Sequence, residues 1–197
     1  VILPAGTRLR PQEIGLAASI GRTELPVHDS VRVALFSTGD EIRDTGEDLP
    51  PGCIYDANRY SVAAALDRLG CAVSDLGILP DDYDVIRYTL ATAAENHDLI
   101  VTSGGVSTGE EDHVRAAVDV LGHMHFWRLA IRPGRPLALG QIGTVPFIGL
   151  PGNPVAVLVT FLRFARPAIL RLGGCRFIEP STYRVRTGFP IHKKLGR

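Results

Sequence analysis

An open, mostly parallel α/β sheet is the fold this chain predicts, and two observations predict it. Strand-like apolar runs alternate with amphipathic helical stretches from Val31 onward, and the runs Val33-Ala34-Leu35-Phe36 and Leu99-Ile100-Val101 lack polar alternation, as strands buried on both faces require. A third observation says where a ligand would sit. Glycine-rich loops follow three of the runs: Ser37-Thr38-Gly39-Asp40-Glu41, Ser103-Gly104-Gly105-Val106-Ser107-Thr108-Gly109 and Leu150-Pro151-Gly152-Asn153-Pro154. An open α/β sheet gathers such loops at the carboxyl ends of its strands, where ligands bind. Their glycines bring backbone N–H groups close to anions.

The elements follow in order. Pro11 to Ile20 predicts a short helix, with Pro in its first turn and Gly21 closing it, and Pro26 to Ser30 reads as a linker. After the strand Val31 to Phe36, Asp56 can cap a helix whose apolar face is Val62, Leu66 and Leu69, stopped by a left-handed Gly70. Val73 to Leu79 is the next strand. Asp81 or Asp82 caps a second helix with Ile86, Leu90, Ala93 and Ala94 on one face, and the strand Asp98 to Thr102 follows. A third helix carries Val114, Ala117, Val118 and Leu121 and stops at Gly122. His125 to Ile131, Pro136 to Gln141 and Val145 to Gly149 read as strands, two of them close enough for a hairpin. Asn153 as cap and Pro154 at the first position open a longer helix with Val155, Leu158, Val159, Leu162 and Ile169 inward, which Pro167 should bend. Past Gly173-Gly174, the alternation of Tyr183, Val185 and Thr187 predicts a strand that begins another domain.

Composition narrows the function classes. The 197 residues can form one core of roughly 130–150 residues with flanking pieces. Lysine plus arginine equal aspartate plus glutamate at 21 each, so no basic footprint points to nucleic acid or an anionic membrane surface. No apolar run approaches the ~20 residues of a membrane helix, and the first residues do not show a secretory leader. A soluble, cytoplasmic chain is expected. Cys53, Cys71 and Cys175, odd in number and widely spaced, predict buried thiols in a reducing compartment.

The nucleotide signatures Gly-x-x-x-x-Gly-Lys-Ser/Thr and Gly-x-Gly-x-x-Gly are absent, which disfavours kinase and dehydrogenase readings. Thr38, Gly39, Asp40 and Glu41 instead put a hydroxyl and two carboxylates directly after a strand. Ser103, Gly104, Gly105 and Ser107 can form a nest of N–H groups for a phosphate, with Glu110, Glu111 and Asp112 on the turn that follows. Glu41, Asp81 and Asp112 could share Mg²⁺ with substrate phosphates, since that ion takes oxygen ligands and usually one or two carboxylates. Arg132 and Arg135, on the proline-stiffened turn Arg132-Pro133-Gly134-Arg135-Pro136, suit bidentate recognition of phosphate or carboxylate. Pro151, Gly152, Asn153 and Pro154 should aim the free N–H groups of a helix start at an anion. His123 and His125 would share a strand face, with no third zinc ligand nearby in sequence.

In order and spacing these motifs resemble the molybdopterin molybdenumtransferases, the MoeA and gephyrin family. The resemblance runs through Phe36 to Glu41, Ile54-Tyr55-Asp56-Ala57-Asn58-Arg59, Gly77 to Asp82, Ser103 to Ser107, Pro133 to Pro136 and Gly149 to Pro154. It implies a three-layer α/β/α sandwich of the MogA-like, molybdopterin-binding kind over residues 31–174. Residues 1–30 would enter from an N-terminal domain, and residues 175–197 would begin a C-terminal β-barrel. It also implies the reaction: molybdate inserted into the dithiolene of adenylylated molybdopterin, with Mg²⁺ as cofactor and AMP released. Glu41, Asp81 and Asp112 match the family's acidic active-site positions, and Pro151 and Pro154 its final proline pair. Arg132 and Arg135 stand where many relatives have lysine. A homodimer is implied, with active-site groups from an N-terminal domain, so that this stretch alone binds without turning over; the molybdopterin adenylyltransferase is a possible partner. Two readings stay open beside it: the adenylyltransferase of the same fold, whose loop runs closer to Thr-Gly-Gly-Thr-Gly, and a non-catalytic, gephyrin-like scaffold.

Overall fold

The computed structural model describes residues 1–105, 113–128, 131, 133–176, 178–179 and 182–190. Its strands are β1 (Arg32–Thr38), β2 (Ile42–Arg43), β3 (Ile54–Tyr55), β4 (Ala72–Leu79), β5 (Leu99–Ser103), β6 (Gly122–Arg128), β7 (Pro136–Ile142) and β8 (Val145–Leu150). The helices are α1 (Pro11–Ser19), α2 (Ala57–Asp67), α3 (Tyr83–Asn96), α4 (His113–Leu121), α5 (Pro154–Thr160) and α6 (Arg166–Leu172). Six strands form one sheet in the order β4-β1-β5-β8-β7-β6, and β2 and β3 form a small parallel pair. The first four strands of that order are mutually parallel; β7 runs antiparallel to β8, and β6 to β7.

Period-two geometry turns the uninterrupted apolar strands into two cores. Val33, Leu35, Leu99 and Val101 face the layer of α2, α5 and α6, where Val62, Leu66, Val157, Phe161 and Ile169 meet them. Ala34, Phe36 and Ile100 face the layer of α3 and α4, packed on Ile86, Leu90, Ala93, Val114 and Val118. A three-layer α/β/α sandwich results, as expected. Each large side chain withdrawn from water here contributes about 1.5–3 kcal/mol. No helix among the described residues is long and apolar enough to cross a membrane.

The expected caps form. Asp56 Oδ1 accepts the Arg59 N–H at 3.1 Å at the start of α2, and Asp82 Oδ1 accepts the Val85 N–H at 3.0 Å at the start of α3. Capping by Asp82 frees Asp81 from that duty. β4 carries a bulge: Leu35 pairs with Asp75 and Ser37 with Ile78, and the extra residue is accommodated at Gly77, whose φ of +77° suits glycine.

Several expectations need correction. Gly122 does not stop α4 as a cap; it begins β6, where any side chain would run into the Gln141 carbonyl, so glycine permits the close approach of β6 and β7. Val155, Leu158 and Leu162 point outward, and Val159 is only half-buried, while Ala156, Val157, Thr160, Phe161 and Ala165 turn inward with Ile169. Nearly every position from Val155 to Leu162 is apolar, so periodicity does not define the face. Pro167 is preceded by a π-helical turn over Phe161–Ala165, the form the helix takes around a residue with no N–H to donate. Tyr183, Val185 and Thr187 form no strand, because a ladder needs a neighbour and none lies beside them among the described residues. The three cysteines are half-buried rather than buried, and burial pushes the Cys71 thiol pKa up. His123 and His125 do share a face of β6, their rings edge to face with centroids 4.9 Å apart.

Candidate substrate-binding cleft

From β1 the chain passes through α2 to β4 on one flank of the sheet; from β5 it passes through α4 toward β6, β7 and β8 on the other. The connections therefore part above β1 and β5, and a doubly wound sheet has its crevice at that switch point, outside the carboxyl ends of the strands. A cavity of about 370 Å³ lies there. Its floor and one side are Thr38, Gly39, Asp40, Glu41, Asp81, Ser103, Gly104 and Gly105. The facing side is Pro136, Pro151, Gly152 and Pro154, and the remaining wall is Ile42 with Ile54 to Asn58.

The two adjacent glycines explain how the loops come so close. Gly104 and Gly105 have φ of +84° and +64°. A Cβ on Gly104 would lie 2.6 Å from the Thr38 carbonyl oxygen, and one on Gly105 would collide with Cγ2 of Thr38 and of Val114. The Gly104 N–H donates to the Leu150 carbonyl at 3.2 Å, tying the second loop to the start of the third. That N–H is consequently engaged within the protein, and the expected nest is narrower by one donor.

Thr38 is buried, and its Oγ1 has no hydrogen-bond partner among the described residues; Ser37 Oγ and Thr102 Oγ1 are in the same state. Buried hydroxyls are nearly always paired, and these three lie below the cleft surface, where the strand ends meet. Glu41 folds back over Gly39: a Cβ there would sit 2.8 Å from Glu41 Oε2. Glu41 and Asp81 thus border the same space, although no group of three or more His, Cys, Asp or Glu able to hold a metal ion occurs among the described residues.

Two expected contributors differ. Asn153 caps α5 with its own side chain, Oδ1 accepting from the Val155 and Ala156 N–H groups at 3.0 and 3.1 Å, so those donors are not free for an anion. Asn153 and Arg135 are not lining residues; Arg135 is exposed beside Pro136, which does line the cleft. Gly134, at φ +104°, lies against Thr160, where a Cβ would meet Cγ2 at 2.6 Å, so the arginine loop rests on α5. Ser107, Asp112 and Arg132 lie outside the described residues.

Residue-level reasoning missed Ile42, Ile54, Tyr55, Ala57 and Asn58 as wall residues. The available signal was the run Asp56-Ala57-Asn58-Arg59, too polar for the first turn of an otherwise apolar-faced helix. The Asn58 side-chain N–H donates to the Gly152 carbonyl at 2.7 Å across 94 residues of sequence. Arg59 is buried, with Nε on Asp56 Oδ2 at 3.0 Å, Nη2 on Asp44 Oδ2 at 2.7 Å and Nη1 on Asp75. Burial alone would lower its pKa; the hydrogen bonds it donates to Asp75 and Asp56 outweigh that, and it is raised. The Tyr60 hydroxyl, the Thr45 N–H and the guanidinium hold Asp44 below the usual carboxylate range.

Fold and cleft together define a class, an α/β/α domain that receives a ligand at the switch point of its sheet through glycine loops and carboxylates. The chain belongs to the probable molybdopterin binding domain family, which matches residues 34–171. It is 39% identical over 198 residues to a molybdopterin molybdenumtransferase of Haemophilus influenzae, covering 100% of this chain and 49% of that protein. It therefore spans about half the length of that relative. The solved structure of a molybdopterin biosynthesis MoeA protein from Pyrococcus horikoshii superposes with TM-score 0.75 at 26% identity, over 89% of this chain and 42% of that one. The molybdopterin biosynthesis enzyme MoaB of Thermus thermophilus shares the fold, with TM-score 0.55 and 22% identity over 73% of this chain and 97% of that one.

Proposed function

We propose that this chain is the substrate-binding part of a molybdopterin molybdenumtransferase, which receives adenylylated molybdopterin and molybdate and releases AMP. The observation that carries the reading is the convergence of Thr38 to Glu41, Asp81, Ser103 to Gly105, Pro151, Gly152 and Pro154 on one crevice. The transferase is preferred over the adenylyltransferase because a relative named molybdopterin molybdenumtransferase matches the whole chain at 39% identity.

In this reading Ser103, Gly104 and Gly105 shape the phosphate side of the crevice, with Thr38 beneath them at the end of β1. Pro151 and Pro154 stiffen the opposite rim. Arg135, beside Pro136, reaches toward the ligand's negative charge from the cleft edge. Two carboxylates alone would repel molybdate. They fit Mg²⁺ held jointly with substrate phosphates, which is how that ion is usually bound, and Glu41 and Asp81 are the residues that would hold it. Bound there, the ion would offset the phosphate and molybdate charge. Glu41, with Asp112 in the role the resemblance implies, relays the protons given up by the two dithiolene thiols to the oxygens that leave molybdate as water when sulfur replaces them. We further assign residues 31–174 to this domain and residues 1–30 and 175–197 to its connections, with a cytoplasmic homodimer as the working form and the adenylyltransferase as supplier of substrate.

The test is to incubate the complete protein with adenylylated molybdopterin, Mg²⁺ and increasing molybdate. AMP release that rises with molybdate is expected. ATP consumption instead would establish the adenylyltransferase, and neither reaction would leave the scaffold.

A further inference from the structure

The wall that residue-level reasoning missed is built from a strip of chain, Glu41 to Tyr55, and the first turn of α2. Within the strip the Ile54 N–H donates to the Glu41 carbonyl at 2.8 Å, so Glu41 moves with β3. The strip is joined to α2 by backbone, where the Asp56 N–H meets the Arg43 carbonyl at 2.9 Å, and by side chains, where Arg59 meets Asp44. Asp44 also accepts from the hydroxyl of Tyr60, the next residue of α2, at 2.7 Å. One residue before Arg59, Asn58 reaches the other way, to Gly152 in the proline loop. Consecutive side chains of one helical turn thus grip opposite rims of the same cleft, while Asp56 and Asp75 anchor the guanidinium to the domain.

We propose that Asn58 and Arg59 are positioning residues that set the width of the cleft: Asn58 holds the Pro151 to Pro154 rim, and Arg59, through Asp44, holds the strip that carries Glu41. For what the grip serves, this rests on the transferase reading above; the grip itself does not. Both bonds suit the task. A neutral amide-to-carbonyl bond is modest, so the proline rim can yield a little to a ligand. A buried guanidinium shared by carboxylates is much harder to displace, so the strip stays fixed.

The experiment reads the two rims separately, by amide hydrogen exchange on the complete protein. Asn58→Asp replaces the donor with a carboxylate that the Gly152 carbonyl repels. Exchange over residues 152–157 should then rise about tenfold while residues 41–55 stay within about twofold. Asp44→Asn, which weakens the Arg59 link but leaves the arginine in place, should give the reverse pattern. Arg59→Lys should do so more strongly, since one ammonium cannot meet three carboxylates. In turnover, Asn58→Asp should raise KM for adenylylated molybdopterin about tenfold, the worth of one hydrogen bond, with kcat within about threefold. Exchange that is unchanged, or that rises equally throughout the chain in both Asn58→Asp and Asp44→Asn, would overturn the assignment. Selective exchange with unchanged KM would overturn its role in substrate binding. Should the wild type release no AMP, the transferase reading falls while the exchange pattern still decides the grip.

Discussion

Cavities lie at both ends of the sheet, and the one at the amino ends, although larger than the substrate cleft, is the less equipped for chemistry. At the amino ends of the strands, a space of about 510 Å³ lies between the leading segment, residues 3–9 and 25–31, and the end of α6. Leu3, Leu9, Leu25, Val31, Ile169 and Leu170 supply much of its lining. Two of its polar side chains are already engaged: Thr7 Oγ1 donates to the Pro4 carbonyl at 2.7 Å, and the Arg8 guanidinium donates to the Arg68 carbonyl at 3.1 Å, closing the end of α2. At the carboxyl ends, the smaller cleft holds two strand-end carboxylates and a glycine pair pressed on the strand below. Volume does not mark a site. The direction of the strands does, because every parallel strand delivers its loop, with unpaired polar groups, to the same edge.

The sharpest break in this comparison is chemical. Glu41→Gln in the complete protein should lower molybdate-dependent AMP release about a hundredfold, the lower range for loss of a general acid or base. Leu69→Ala, at the opposite cavity, should leave it within about twofold. Equal losses at both ends would show that the carboxyl-end cleft has no privileged role. Next in size is packing at the glycines. Gly105→Ala should destabilise the domain by about 1–3 kcal/mol, through overpacking against Thr38 and Val114 at a left-handed position, and urea denaturation reads this as a lower midpoint at unchanged slope. Gly143→Ala, in the β7–β8 turn with open space around it, should cost less, since only its φ of +56° resists.

Titration offers a smaller effect that still separates the ends. Asp44 has a folded-state pKa below its ordinary 3.8, so what it adds to stability is complete above about pH 4 and fades as pH falls through the folded value. Asp98, held down by Arg32 at the amino ends of β1 and β5, behaves likewise. Both pairs are part-exposed, so the effects are small and screened by salt. Near pH 3, Asp44→Asn should differ less from wild type than at pH 7, in denaturation and in exchange over residues 41–55. A gap that widens on acidification would contradict the assigned direction.

Much of this architecture was legible beforehand, for reasons that particular residues make plain. Val33 to Phe36 and Leu99 to Val101 announced central parallel strands because only two-sided burial tolerates such runs. Asp56, the pair Asp81-Asp82 and Asn153 announced helix starts because a short acceptor at the cap satisfies N–H groups left without partners in the first turn, and the structure chose Asp82 of the pair. The inward face of α5 was not legible, since Val155 to Leu162 are apolar almost without interruption and packing chose among them. Nor was the engagement of the α5 donors by Asn153, or the grip of Asn58 on Gly152, a contact between residues that nothing in their local sequence connects.

The succession of elements, their cap positions and the chemistry of each loop are local properties, dictated by side-chain size, branching and hydrogen bonding within a few residues, and the chain by itself determined them. Which loops meet, which hydroxyls lose their partners and which cavity becomes the equipped one were decided only when β1 and β5 lay side by side. Such contacts are the product of sheet topology and close packing, and a pattern read along one dimension carries no record of them.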